Sequence, residues 1–229
     1  MRLDKFVCKS TELDRKEAVR LINAGQVLVN GQVTQYEATQ VHENNQIFLN
    51  NELLKARLFR YILIHKPPNT ICSNVDEAYP SIFNCLNLDN VSELHVAGRL
   101  DADTTGLVLV TDDGRWSFSI IRPSQQCKKV YRVVLSRVIT KDVIGRFARG
   151  IELQGESRLT LPAALEIVSA KSVILTINEG KFHQVKRMFS AVGNRVVSLH
   201  REQIGDICLD VEVGEWRYLN DSEVNSFSK

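Results

Sequence analysis

Leu3, Phe6 and Val7 recur at helical spacing in a polar stretch, so residues 2–10 are predicted to form a short helix with one apolar face. Asp14-Arg15-Lys16-Glu17 has the form of an N-cap followed by an acid at the third helical position. The helix it opens turns Ala18, Val19, Leu21 and Ile22 inward and stops at Gly25. Lys16 and Arg20, one helical turn apart, share its outer face. Val27–Val29, Asn30-Gly31 and Gln32-Val33 then read as strand, tight turn and strand. The polar run Asn50–Lys55 reads as a linker. From Arg60 the pattern changes. Tyr61–Ile64 is a continuous apolar run, read as a buried strand and closed by His65-Lys66-Pro67-Pro68, where proline ends the ladder. Further strands are expected at 107–111, 130–136, 164–168, 172–178 and 206–209, and helices at 115–121, 140–149 and 184–192. Strand runs mixed with a few helices predict an α+β domain, a largely antiparallel mixed sheet with flanking helices. The expected division is a small helical and hairpin domain at 1–55 and a larger domain at 60–229.

The order of the first segments, MRLDKFV, then DRKEAVRLINAGQVLVNGQ, resembles the S4 RNA-binding domain. That resemblance covers about a quarter of the chain and implies RNA-backbone contacts from Arg2, Lys5, Arg15, Lys16 and Arg20. Read without it, the same segment is a small helical cap kept soluble by its charges.

Composition adds little by its totals. The 229 residues are 44% hydrophobic and 24% charged, as in ordinary folded domains, and the net charge is only +2. The distribution is more informative. Five basic residues and no acidic one lie between Arg122 and Arg137, and five basic residues against Glu179 lie between Asn178 and Arg201. Such concentrations allow a local positive field for phosphates, although most charge runs are solvated surface. The five cysteines are odd in number and widely spaced, with no C-x-x-C, which argues against a zinc site or a disulfide framework. The N-terminus has no apolar signal core and no apolar run is long enough to span a bilayer. A cytoplasmic protein without a membrane partner is expected.

Candidate chemistry concentrates in Gly98-Arg99-Leu100-Asp101-Ala102-Asp103-Thr104-Thr105-Gly106, followed by an apolar run and Thr111-Asp112-Asp113-Gly114. Two carboxylates and two threonines between glycines make a constrained loop that can hold a carboxylate in one orientation. The residues alone leave three readings: a structural turn, a calcium loop running from Asp101 to Asp112, or a catalytic aspartate. The calcium reading is weakened because its twelfth position normally carries Glu and a helix should follow.

The whole segment GRLDADTTGLVLVTDDG resembles the signature of the RsuA, RluB, RluE and RluF branch of pseudouridine synthases. HKPPNTICS, KKVYRV, EGKFHQVKRMF and LHREQIG match in the same order, so the resemblance covers nearly all of 60–220. It implies that Asp101 is the essential carboxylate, acting as a nucleophile or as a base toward the sugar. It implies that Lys186 is the basic partner, a neighbouring cation favouring the ionised carboxylate; Arg187 is the alternative, or a phosphate ligand. Tyr131 matches the aromatic residue beside the target base, which can stack on a flipped uracil. Arg99 can fill space left by that base or bind phosphate. For His183, His65 and Lys66 the structural reading is preferred.

The implied activity is isomerisation of one uridine of 16S rRNA, free or within a small-subunit assembly intermediate, by a monomer with no metal or organic cofactor. The alternatives are a 23S rRNA synthase of the same branch and a non-catalytic S4-type RNA-binding assembly factor.

Overall fold

The computed structural model describes residues 1–42 and 44–227. Backbone contacts divide the chain between Phe59 and Arg60 into two units, each with its own core.

In the first unit, helices α1 (Leu3–Ser10) and α2 (Arg15–Asn23) pack through Leu3, Val7, Ala18 and Ile22, all fully buried. The Asp14 side chain accepts from the Glu17 amide at 2.9 Å, and the Glu17 carboxylate accepts from the Asp14 amide, a reciprocal cap that fixes where α2 begins. Val19 and Leu21, expected inward, are only half-buried, because the two small helices cover a narrower stripe than four residues. Strands β1 (Val27–Val29), β2 (Gln32–Val33), β3 (Ile47–Leu49) and β4 (Glu52–Leu53) form an antiparallel sheet in the order β2-β1-β3-β4. The first hairpin turns at Asn30 and Gly31, both with positive φ (51° and 81°), as a two-residue primed turn requires.

The run expected to be linker holds a second hairpin. Asn50 and Asn51 also take positive φ (49° and 67°) and fold β4 back on β3. Asparagine tolerates the left-handed region, so Asn-Asn does here what Asn-Gly does in the first hairpin.

The larger unit contains, among the described residues, β5 (Tyr61–Lys66), β6 (His95–Val96), β7 (Thr105–Thr111), β8 (Lys129–Leu135), β9 (Ala164–Ser169), β10 (Ser172–Ile177), β11 (Val196–Ile204), β12 (Ile207–Cys208) and β13 (Trp216–Tyr218). They join in one sheet, ordered β13-β5-β7-β11-β8-β10-β9, with β6 on β7 and β12 on β11. β7 and β11 run parallel; the other pairs are antiparallel. The fold is α+β on a mixed, largely antiparallel sheet.

Alternation along β5 and β7 makes two cores. Ile62, Ile64, Val108 and Val110 face one, with α4 (Asp142–Ala148) and α5 (Gln184–Ala191). Leu63, Leu107 and Leu109 face the other, with α3 (Gly114–Ile121) and α6 (Asp221–Asn225). Burial of both faces explains the unbroken apolar runs of these strands.

The element most at odds with the sequence reading is β11. Nine residues long and central, it was expected only as a motif, and the strand placed at 206–209 is the two-residue β12 paired back on it. β11 carries His200, Arg201, Glu202 and Gln203, and its pairing with β8 shifts register between Val196 and Ser198 and between Arg201 and Gln203. Two irregularities and a buried arginine erase the period-two signal.

Candidate active site

The loop from Gly98 to Thr104 lies between β6 and β7, and its shape is imposed by groups remote in sequence. Thr104 N–H donates to the Asp101 carbonyl at 3.1 Å, closing a turn around Ala102 and Asp103. Lys66, fully buried at the end of β5, donates from Nζ to the carbonyls of Ala102 (3.1 Å), Thr104 (2.9 Å) and Pro67 (3.1 Å). Burial pushes its ammonium below the usual lysine range. Its three donors are spent on backbone, so Lys66 acts as a brace for the loop.

On the other side Gly106, with φ at 110°, pairs with Arg201. A Cβ there would collide with the backbone nitrogen and carbonyl of Arg201, so only glycine lets β7 and β11 meet. Arg201 is 1% exposed. It donates to the carbonyls of Leu107 (2.7 Å) and Gly98 (2.9 Å) and, at 3.4 Å, to the Tyr131 hydroxyl. One buried guanidinium thus joins the start of the loop, β7 and β8.

Asp101 is held from α5. Lys186 Nζ donates to Asp101 Oδ2 at 2.8 Å and to Asp103 Oδ1 at 2.7 Å. His183 Nε2 lies 3.3 Å from the other oxygen, Oδ1. Partial burial works against the Lys186 charge, but the two carboxylates outweigh it and raise its pKa. Lys186 in turn holds the Asp103 carboxyl below the usual range. His183 has a left-handed backbone (φ 49°) at the first position before α5, which turns its ring back over the loop. The sequence reading preferred a structural role for this histidine; its contact with Asp101 was visible only in three dimensions.

Lys186, not Arg187, meets the aspartate. Arg187 bonds Glu156 at 3.1 Å and the carbonyls of Phe182 and Gln154. Lys181 bonds the same Glu156 at 2.8 Å. These bonds fasten the segment after Leu153 to the turn that precedes α5.

Asp101, Lys186 and His183 open on a cleft also lined by Gly98, Arg99, Leu100, Lys129, Tyr131, Ile177, Leu199 and Arg201. Tyr131 is 6% exposed and shows the cleft only a small part of its ring. Lys129 is buried, its pKa pushed down by that burial, and it donates to the Cys127 carbonyl at 2.8 Å. Arg99 is exposed. Asp112, the far end of the calcium reading, lies at the opposite end of β7 and is bonded to the Arg60 amide (2.8 Å) and guanidinium (2.9 Å). A seven-residue strand separates the two carboxylates, so they cannot share one cation loop.

In the first unit Lys5, Lys16 and Arg20 are exposed. Arg2 grips Asp4 with two bonds of 3.0 Å, and Arg15 bonds the same carboxylate at 3.1 Å.

A carboxylate fixed by a lysine and a histidine, on a cleft shared with a tyrosine and two buried cations, is an arrangement that can serve acid-base or nucleophilic chemistry. The chain belongs to the RNA pseudouridylate synthase family: residues 60–191 match that family's profile, and residues 1–47 match the S4 domain. It is 48% identical to the ribosomal small subunit pseudouridine synthase A of Vibrio cholerae over the full length of both chains. Its identity to the proteins of that name from Haemophilus influenzae and Escherichia coli is 44% and 43%, with at least 99% of each chain covered. A solved structure titled as a pseudouridylate synthase superposes with a TM-score of 0.73 at 43% identity, covering 99% of both chains.

Proposed function

We propose that this pseudouridine synthase isomerises one uridine of 16S rRNA, with Asp101 as its catalytic carboxylate. The observation that carries the reading is the bond between Lys186 and Asp101 at 2.8 Å, at a cleft lined by Tyr131 and by the buried cations Lys129 and Arg201. Near-identity in length with proteins named for the small ribosomal subunit supports the choice of rRNA.

Pseudouridylation breaks the bond between the sugar carbon and the base nitrogen, turns the base and joins the same sugar carbon to a base carbon. It is redox-neutral and needs no external nucleophile. A carboxylate gripped at both oxygens is oriented for attack on the sugar carbon or for removal of a sugar proton. Lys186 holds the carboxylate in place in either route. Tyr131 sits where its ring edge can meet the base, and Arg201 fixes its hydroxyl. The exposed Lys5, Lys16 and Arg20 of the S4 unit supply backbone contacts that carry no sequence information. The reading extends to a monomer working in the cytoplasm; no helix among the described residues is long and apolar enough to cross a membrane.

The test is tritium release from uridine-labelled 16S and 23S rRNA, each offered free and as assembly particles. Release from 16S rRNA or its particles is expected. Release confined to 23S rRNA would move the substrate to the large subunit. Release from neither would favour a non-catalytic binding factor.

A further inference from the structure

Phe182 stands out among the large apolar side chains because it is 73% exposed and lies between two residues that line the cleft, Lys181 and His183. Its ring stacks on the His183 imidazole, with centroids 3.7 Å apart and planes 23° apart. One face is thus covered by a ring whose own Nε2 touches Asp101, while most of the side chain faces solvent. The backbone there is held: the Phe182 carbonyl accepts from the Arg187 side chain at 3.0 Å, and the His183 carbonyl accepts from the Arg187 amide, also at 3.0 Å. Phe182 is therefore a large apolar ring displayed on a fixed support at the mouth of a polar, cationic site. A single exposed ring is ordinary on a protein surface; what singles Phe182 out is that it stacks on the histidine that touches Asp101.

We infer that Phe182 is a stacking platform for a nucleobase of the substrate RNA next to the target uridine. The inference rests on the synthase reading and adds a contact to it. The occupant follows from the surroundings. Phosphates are drawn by the exposed Arg99 and by Lys129 and Arg201 of the same cleft, and Phe182 stands between two residues that line it, so a base attached to a phosphate held there is placed to meet the ring. Aromatic rings accept any base by stacking, so the contact contributes affinity without choosing a sequence. Tyr131, almost wholly buried, cannot offer such a face; Phe182 can. A base laid on Phe182 also presses the ring onto His183 and keeps that imidazole against Asp101, so binding outside the cleft supports the carboxylate inside it.

The test compares Phe182→Leu, which keeps apolar bulk, with Phe182→Trp, which keeps and enlarges the ring. Affinity for 16S rRNA is measured over a series of salt concentrations, and tritium release is followed to separate kcat from KM. Phe182→Leu is expected to weaken binding about 5- to 100-fold. The slope of affinity against salt should stay unchanged, because every cation that meets phosphate is still in place. Phe182→Trp should bind as well as the wild type. Equal affinity of the Leu variant and the wild type would overturn the inference, as would a reduced salt slope. A fall in kcat at unchanged affinity would also overturn it, reducing Phe182 to a prop for His183. Because affinity is read without turnover, a wild type that binds 16S rRNA yet releases no tritium would sink the substrate assignment while leaving the stacking contact measurable.

Discussion

The tripeptide Arg-Leu-Asp occurs in both units, as Arg2-Leu3-Asp4 and as Arg99-Leu100-Asp101. In each the leucine enters a core. The aspartates then diverge. Asp4 has no exposed side-chain surface and its oxygens are taken up by Arg2, Arg15 and the Lys5 amide. Burial alone would raise its pKa, but those bonds hold it below the usual carboxylate value of 3.8. Asp101 keeps 31% of its side chain exposed and is met by Lys186 and His183 from one helix terminus, while its own Arg99 is exposed and lines the same cleft. One carboxylate is closed and structural; the other is oriented but open. The difference lies in what surrounds the tripeptide. Asp4 starts a helix whose neighbour delivers a second arginine. Asp101 sits in a loop braced by Lys66 and by the close approach at Gly106, which leaves its outer side to the cleft.

The comparison breaks first at Asp101. Asp101→Asn keeps size and turn propensity but removes the ionised oxygen. Pseudouridine formation should be abolished, with melting temperature and rRNA affinity close to wild type. RNA binding can rise slightly as a negative charge leaves the cleft. Multiple-turnover tritium release by the Asn protein, free of deamidation, would remove Asp101 from the chemistry and make it a turn residue like any other.

Much of this contrast was legible in the sequence. The glycine-bounded loop and its aspartate stood in one long motif and Lys186 in a second, and the first helices and Asn30-Gly31 hairpin followed from spacing and turn chemistry. What escaped depends on contacts between distant residues. For Lys66 a structural role was preferred, but its pattern gave no hint that it anchors the Asp101 loop from inside the core. Arg201 looked like surface charge, and a buried guanidinium satisfied by backbone carbonyls leaves no periodic trace. His183 acquires its place through a left-handed backbone that sequence pattern does not reveal.

Tyr131 sharpens the open side of the comparison. With 6% exposure and its hydroxyl bonded to Arg201, the ring matters chiefly as a fixed surface. Tyr131→Ala should lower kcat by more than about tenfold, since it removes the ring edge beside the base, the hydrogen bond to Arg201 and part of the packing around it. Tyr131→Phe should keep activity within about tenfold of wild type, the loss of one hydrogen bond being about 1 kcal/mol. A Phe variant as inactive as Ala would assign the hydroxyl a proton-transfer role.

Asp4→Ala probes the closed side. It should destabilise the first unit by about 1–3 kcal/mol, a moderate cost because Arg2 and Arg15 are exposed enough to regain water. Hydrogen exchange at α1 and α2 should speed up while that of β7 and β11 is unchanged. The sign with pH follows from the lowered pKa. The wild-type contribution is fully present above the ordinary value of 3.8 and is lost as pH falls through the depressed value of the folded state. Asp4→Ala should therefore flatten the acid limb of stability; an unaltered acid limb would place the sensitivity elsewhere.

The smallest effect separates cations committed to Asp4 from cations left for RNA. Lys16 and Arg20 are exposed on one face of α2, whereas Arg15 on the same helix is bonded to Asp4. A cation that meets phosphate releases counterions on binding, so removing one such cation flattens the dependence of affinity on salt by about one unit of slope. Lys16→Ala/Arg20→Ala should lower the slope by up to about two units and weaken rRNA binding, while kcat at saturating RNA stays near wild type. Arg15→Ala should change the slope less, because its charge is already partly answered, and should instead lower stability. Were Arg15→Ala to flatten the slope as much as the double variant, the Asp4 pair would have to open on binding, and the closed carboxylate would be as available to the RNA as the open one. An unchanged slope in the double variant would place the RNA on some face of this unit other than the outer side of α2.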